Sequence, residues 1–286
     1  MQLGVFGMNA GVPLAPADTL RLARLCEELG YDSWWAGEHI VLPDPRVPPS
    51  PMRPTDPILD PLVHLAFVAA ATERLQLGTG IIILPQRNPL VLAKQAASLD
   101  VLSQGRLQLG VGVGYLEPEL TALGVTLAER AARTDEYLDA MLAIWSDPAR
   151  PHHGRFADFE GVEAFPKPVR GGSPRIVIGG HTPAAHRRAV TRGHGWYGFA
   201  LPPDAAAAQL EGLRAAADEV ERPPELGPLE ISVTPPPPIT PDLVKQYEEL
   251  GVHRLIGLAP AGFAGPRDVD GMLRFVDELA TLQRGA

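Results

Sequence analysis

Cysteine is almost missing from this chain: Cys26 stands alone among 286 residues. No intrachain disulfide can form, and its place in the apolar stretch 22–29 marks a buried thiol and points to the cytoplasm. Positive charge is scarce too, with 25 Lys and Arg against 34 Asp and Glu and a formal net charge of -9. Without a basic field to gather phosphates, nucleic acid and anionic membrane are set aside as partners, which leaves a small-molecule substrate. No apolar run approaches the ~20 residues of a membrane helix. The opening MQLGVFGMNAGVPL also lacks the basic residues of a signal peptide. Several chemical signatures are absent. There is no GxSxG nucleophile elbow and no P-loop, and His181 with His186 does not have the HExxH spacing. His152 and His153 have no Cys or carboxylate partner evident nearby, so no hydrolase, ATPase or metal site is expected.

What is present is ordinary globular composition, 45% hydrophobic and 21% charged, with enough apolar side chain for a sizeable core. The 29 glycines and 31 prolines stay below the roughly 25–30% share of low-complexity chains, so the prolines mark loops. Residues 3–8 read as a short buried strand, followed by the turn residues Asn9, Gly11 and Pro13. A helix follows, with Asp18 as its cap, Leu20, Ala23, Leu25 and Leu29 at helical spacing, and Gly30 as its left-handed stop. The run DSWWAG at 32–37 is a second strand. Further helices are expected near 61–73, 89–103, 126–145, 182–192, 204–220, 241–250 and 266–283. Strands are expected near 76–84, 106–112, 175–178, 195–199, 229–234 and 254–258. Short, wholly apolar strands belong to a parallel sheet covered by helices.

Eight strands alternating with eight helices, over a length near the ~250 residues typical of the architecture, predict an α/β fold: a single (β/α)8 TIM barrel domain spanning 1–286 with right-handed crossovers. A doubly wound open sheet would alternate as well, but no nucleotide fingerprint follows the first strand. Two stretches exceed ordinary α/β loops. Residues 43–61 carry eight prolines after strand two and could wall a pocket, while 147–173, before strand five, suggests a small hairpin. The four prolines at 235–238 read as a stiff polyproline segment or as a spacer.

In such a barrel the strand ends at Met8, Glu38, Leu84, Gly112, Gly179, Phe199, Thr234 and Leu258 share one mouth, where chemistry is done. Glu38 and His39 form an adjacent acid and imidazole at a strand end, and a neutral imidazole there can exchange a proton near physiological pH; bonding to loop backbone is the plainer reading. Gly78, Thr79 and Gly80 mark a bulge, a close ligand approach or simple curvature. The run from Gly110 through Gly112 and Gly114 to Tyr115 is not a dinucleotide loop, because Glu117 stands where the third glycine is needed; it suits a flat ring lying on the backbone. Gly179, Gly180, His181, Thr182 and Pro183 open the fifth helix, so free amides and its positive end can bind phosphate, with the Thr182 hydroxyl, and Arg187 and Arg188 one turn on. A structural helix cap is the competing reading.

Three runs are similar to the luciferase-like monooxygenase superfamily, in its branch of oxidoreductases that use the deazaflavin coenzyme F420. They are CEELGYDSWWAGEHIVLP, DPLVHLAFVAAATERLQLGTGIIILPQRNPLVLAKQAASLDVLSQGRLQLGVGVGY and PRIVIGGHTPAAHRRA, matching in order and spacing over roughly 1–200. The resemblance implies hydride transfer between F420 and a small organic substrate, with His39 and Glu38 as catalytic residues. It implies a non-prolyl cis peptide at Gly80–Ile81 and cofactor contacts from Glu38, Gly80, Ile81, Ile83, Val113 and Gly114. Gly179, Gly180 and Thr182 match the phosphate cradle. Two departures stand out: Tyr115 occupies the place of a glutamate acid, and Pro43 that of a tryptophan, in the family's sugar-phosphate dehydrogenases. Sugar-phosphate oxidation is therefore not expected. The alternatives are an FMN-dependent monooxygenase fed by a separate flavin reductase and a non-catalytic flavin-binding barrel; an intact His39 argues against the latter. The apolar second and third helices could form the face of a homodimer, though one sequence does not distinguish such a face from core.

Overall fold

A computed structural model of the chain describes residues 1–11, 15–258 and 268–284. Pro13 and the expected start of the last helix at 266 lie outside the described residues. The elements follow in order: β1 (Gln2–Phe6), α1 (Pro16–Leu29), β2 (Ser33–Ala36), α2 (Pro61–Ala69), β3 (Gln76–Thr79), β4 (Ile82–Ile83) and α3 (Pro89–Leu102). Next come β5 (Leu107–Gly112), α4 (Glu117–Ala122), α5 (Arg130–Trp145), β6 (His152–His153), β7 (Asp158–Phe159), β8 (Arg175–Gly179) and α6 (Pro183–Arg192). The chain continues through β9 (Gly195–Phe199), α7 (Pro203–Glu219), β10 (Glu230–Thr234), α8 (Pro241–Glu249), β11 (Arg254–Leu258) and α9 (Val269–Arg284).

Parallel pairing runs from β3 through β2, β1, β11, β10, β9 and β8 to β5, and β5 pairs back onto β3, with Leu77 opposite Leu107. The sheet is thus a closed (β/α)8 TIM barrel, and because every barrel strand runs the same way, all their carboxyl ends open on one mouth. Its interior is filled by Phe6, Trp35, Val177, Tyr197 and Ile256, with Ile81, Phe199 and Leu258 packed above them. A larger apolar layer between strands and helices includes Trp34, Leu65, Leu109, Leu138 and Ile178. Each fully buried side chain of this size contributes ~1.5–3 kcal/mol.

The structure moves several expected boundaries. Pro16 at the first helical position starts α1 early, so Ala15 is the cap residue and Asp18 lies in the first turn, where its charge faces the positive helix end. Gly30 closes that helix at φ 88°, as expected. Helix α2 stops at Ala69 short of 73, because the amides of Glu73, Arg74 and Leu75 turn to the Glu27 carboxylate. The expected strand 76–84 is split into β3 and β4 by a cis peptide at Gly80–Ile81. Gly110 is obligatory beside it, since a Cβ there would lie 1.9 Å from the Thr79 carbonyl oxygen. The short helix α4 was not foreseen. Residues 147–173 do carry a small hairpin, β6 against β7, and there His153 has a carboxylate partner after all, Nδ1 lying 2.8 Å from Asp158 Oδ1. In the four-proline segment the Pro237–Pro238 bond is cis, so the segment is not one continuous polyproline helix.

Candidate active site

Two residues past the end of β2, Glu38 turns inward, its side chain only 1% exposed. Every partner it has is a donor. The Ile83 amide donates to Oε2 at 2.6 Å, Arg87 Nε donates to Oε1 at 2.7 Å with Nη2 on the same oxygen, and Gln86 Nε2 stands 3.4 Å from Oε2. Burial pushes the Glu38 carboxyl up to about 7, while Arg87 and the Ile83 amide pull it down. The all-donor set is that of a carboxylate. Arg87 also donates to Asp60 Oδ2 at 2.5 Å, and the other oxygen of Asp60 caps α2 through the amides of Leu62 and Val63.

His39 faces the other way, toward α4. Its Nδ1 lies 2.8 Å from Oε2 of Glu119, whose side chain is fully buried, and Glu119 Oε1 accepts the Ile40 amide at 2.6 Å. The Tyr115 hydroxyl is 3.5 Å from His39 Nε2, with the two rings edge to face at 89°. Gln86 Nε2 reaches Glu119 Oε1 at 3.4 Å as well as Glu38, so one amide bridges the two carboxylates.

The expected contacts of the bulge form one surface. A Cβ at Gly112 would meet Ile81 Cδ1 at 2.0 Å, one at Gly179 would meet Ile81 Cγ2 at 2.9 Å, and one at Gly114 would meet Ile83 Cγ2 at 2.6 Å. Gly80, Ile81, Ile83, Gly112, Gly114 and Gly179 therefore lie side by side, with half-buried Val113 between two of these glycines. Gly180 continues from there at φ 124°, its carbonyl held by Trp196 Nε1 at 2.9 Å, and opens the ten-residue α6. Thr182 is the helix cap, its hydroxyl accepting the Ala185 amide at 3.3 Å. Among the described residues, no hydrogen bond or ion pair joins Gly180 or Thr182 to Glu38 or His39.

Arg187 and Arg188 are not at this helix end as free cations. Arg187 pairs with Glu219 and Arg188 with Asp135, so the exposed amides stand there without them. Glu119, Arg87 and Gln86 escaped sequence reasoning, as did Asn9, whose fully buried amide donates to Gly37 O and Leu59 O and accepts from Gly37 N. The only signal for Glu119 was an acidic residue in a short Glu-Pro-Glu-Leu run following the strand-four glycines.

Known proteins resemble this chain along its whole length. The family model described as luciferase-like monooxygenase matches residues 1–260. An uncharacterised protein of Mycobacterium tuberculosis strain H37Rv is 30% identical over 290 residues, covering 97% of this chain and 96% of that one. The crystal structure of the monooxygenase RslO1 from Streptomyces bottropensis superposes with a TM-score of 0.80 at 24% identity, covering 100% of both chains. An F420-dependent secondary alcohol dehydrogenase, solved with an F420-acetone adduct, gives a TM-score of 0.76 at 17% identity over 96% of this chain and 97% of its own. At these identities the two structures share the fold. With a closed barrel, a bulged third strand and a family match running from the first strand past the last, the chain belongs to the luciferase-like monooxygenase family.

Proposed function

We propose that this chain is an oxidoreductase that moves a hydride between the deazaflavin coenzyme F420 and a small organic substrate. The observation that carries this reading is one barrel mouth bearing both an imidazole, His39, and an exposed glycine-rich helix start, Gly179 to Thr182. The residues present fit such a cofactor. Side chains at Gly112 and Gly179 would collide with Ile81, so the strip beside the bulge stays flat enough for a planar ring, and Gly180 brings backbone close to a phosphate. When bound, the deazaflavin supplies the carbon that takes or gives the hydride. The chain would supply position and the proton: His39 would serve as acid or base, and Glu38, with all its bonds turned inward, would keep Ile83 and Arg87 in place beside the bulge.

An FMN-dependent monooxygenase fed by a separate flavin reductase is the second reading, favoured by the family description and by the fold shared with a monooxygenase. Titrating the protein with F420 and with FMN, each followed by fluorescence quenching, tests both. Tight binding of F420 and weak binding of FMN supports the first, the reverse order supports the second, and no binding of either removes both in favour of a barrel that does not catalyse. We also infer a homodimer, because Val63 and Phe67 of α2 and Val91 of α3 are exposed on apolar helices. Sedimentation of the wild type and of Val63→Lys should show a dimer that the variant loses.

A further inference from the structure

We propose that Glu119 is a positioning residue that holds His39 as the Nδ1–H tautomer, leaving Nε2, beside the Tyr115 hydroxyl, as the atom that exchanges the proton. This deepens the functional reading above and rests on it for the chemistry, but not for the geometry. Glu119 is fully enclosed, and two of its three partners can only donate: the Ile40 amide at 2.6 Å and the Gln86 amide at 3.4 Å, both on Oε1. Both donors therefore use Oε1 as their acceptor. Its second oxygen, Oε2, has His39 Nδ1 as its partner at 2.8 Å, a contact that an Nδ1–H donor completes.

The orientation of Gln86 agrees with this. Its Nε2 lies between Glu38 and Glu119, while its Oε1 is buried without a partner. With Nε2 turned to both carboxylates, each of the two oxygens it faces acts as an acceptor. On the far side of the imidazole, burial pushes the Tyr115 hydroxyl up, with Glu119 adding to the effect, so the phenol stays protonated and is able to donate toward a bare Nε2. At 3.5 Å that contact is at the limit of a hydrogen bond, and Nε2 keeps its lone pair for another partner. The charged and titratable groups around His39 are therefore Glu119 from α4, Tyr115 from the loop after β5, and, through Gln86, the Glu38–Arg87 pair.

The proton step balances simply. A substrate O–H bond breaks as the Nε2–H bond forms, giving an imidazolium beside the Glu119 carboxylate; in the reverse direction Nε2 returns the proton to a carbonyl oxygen.

The test reads the tautomer directly. In cofactor-free protein labelled with 15N-histidine, the His39 signals should show a protonated Nδ1 and an unprotonated Nε2. In Glu119→Gln the single amide oxygen cannot serve both Ile40 and His39, and the preference should be lost; Glu119→Asp should restore it in part. With the cofactor that binds, single-turnover hydride transfer should fall ~10²-fold in Glu119→Gln, cofactor affinity changing less than about twofold, and recover partly in Glu119→Asp. A wild-type His39 protonated at Nε2, or a Glu119→Gln protein with an unchanged tautomer, overturns the assignment. If Glu119→Gln does not fold, the wild-type spectrum alone decides it. Failure to bind either cofactor would defeat the functional reading while the spectrum still settles the role of Glu119.

Discussion

The two ends of the barrel hold ionic networks of different balance. At the base Arg254, completely enclosed, donates to Glu230, Gln2 and Gln76 and lies over the Trp35 ring, while Arg175 reaches Glu230 and Gln108. At the mouth Arg87 alone meets Glu38 and Asp60, with Glu119 close by. Two cations stand with two carboxylates below, Glu230 and Asp32, and one cation shares a neighbourhood with three carboxylates above. The base network closes on the strands that begin there, with half-buried Arg175 and Glu230 at its edge. The mouth network ends in an imidazole at the rim. The balanced network below ties strands together, whereas the network above ties a strand end, a helix cap and an imidazole to one another.

The comparison breaks most sharply at His39. Replacing it with Ala should lower turnover by ~10²–10⁴, with cofactor affinity and unfolding midpoint little changed; full rate across the pH range with a verified substrate would remove the proton role. At the base the opposite pattern is expected. Arg254→Met should destabilise the fold by about 3–5 kcal/mol in urea unfolding, leaving the rate per folded molecule intact, because Glu230 loses its nearest cation in a closed layer. A drop in rate without a drop in stability would show that the two ends are not separate.

Acid sets both ends against the shell between them. His64 of α2 is buried beside Trp34, whose Nε1 donates to it at 3.0 Å, and burial pushes it down to about 4. Between about 6.5 and 4 the unfolded chain therefore binds the extra proton, so stability falls as pH drops through that window, by about 3 kcal/mol in all. His64→Gln, which keeps an acceptor for Trp34, should flatten the loss in urea titrations at pH 7 and 4.5; an equal loss in both proteins would place the acid sensitivity elsewhere. The smallest effect is expected at Gly180. Any side chain there is strained at φ 124° and its Cβ would lie 3.0 Å from that of Ala185, so Gly180→Val should weaken cofactor binding ~10–100-fold while hydride transfer from saturated enzyme is nearly kept.

The barrel was legible because its signals are local. Short apolar strands, helical spacing and stops such as Gly30 all lie within a dozen residues of what they control, and the split at Gly80–Ile81 fell where the resemblance put it. Strand ends also led to Glu38, His39 and Gly180. Partnerships across the fold were not legible. Glu119 meets His39 over a separation of 80 residues from a helix of six, too short to show a period, and Arg87 meets Glu38 over 49. The ion pairs of Arg187 with Glu219 and Arg188 with Asp135 were hidden for the same reason, since each spans more than 30 residues of chain.

Arg87 has a consequence for anyone who rebuilds this mouth. By gripping Glu38 and the cap of α2 together, it fastens both roots of the proline-bearing segment between β2 and α2 to a residue outside that segment. The segment is thus not a modular cassette. Grafting its counterpart from a relative with a different specificity should succeed only when position 87 travels with it, and libraries that diversify residues 40–60 should hold Glu38, Asp60 and Arg87 as one inherited unit.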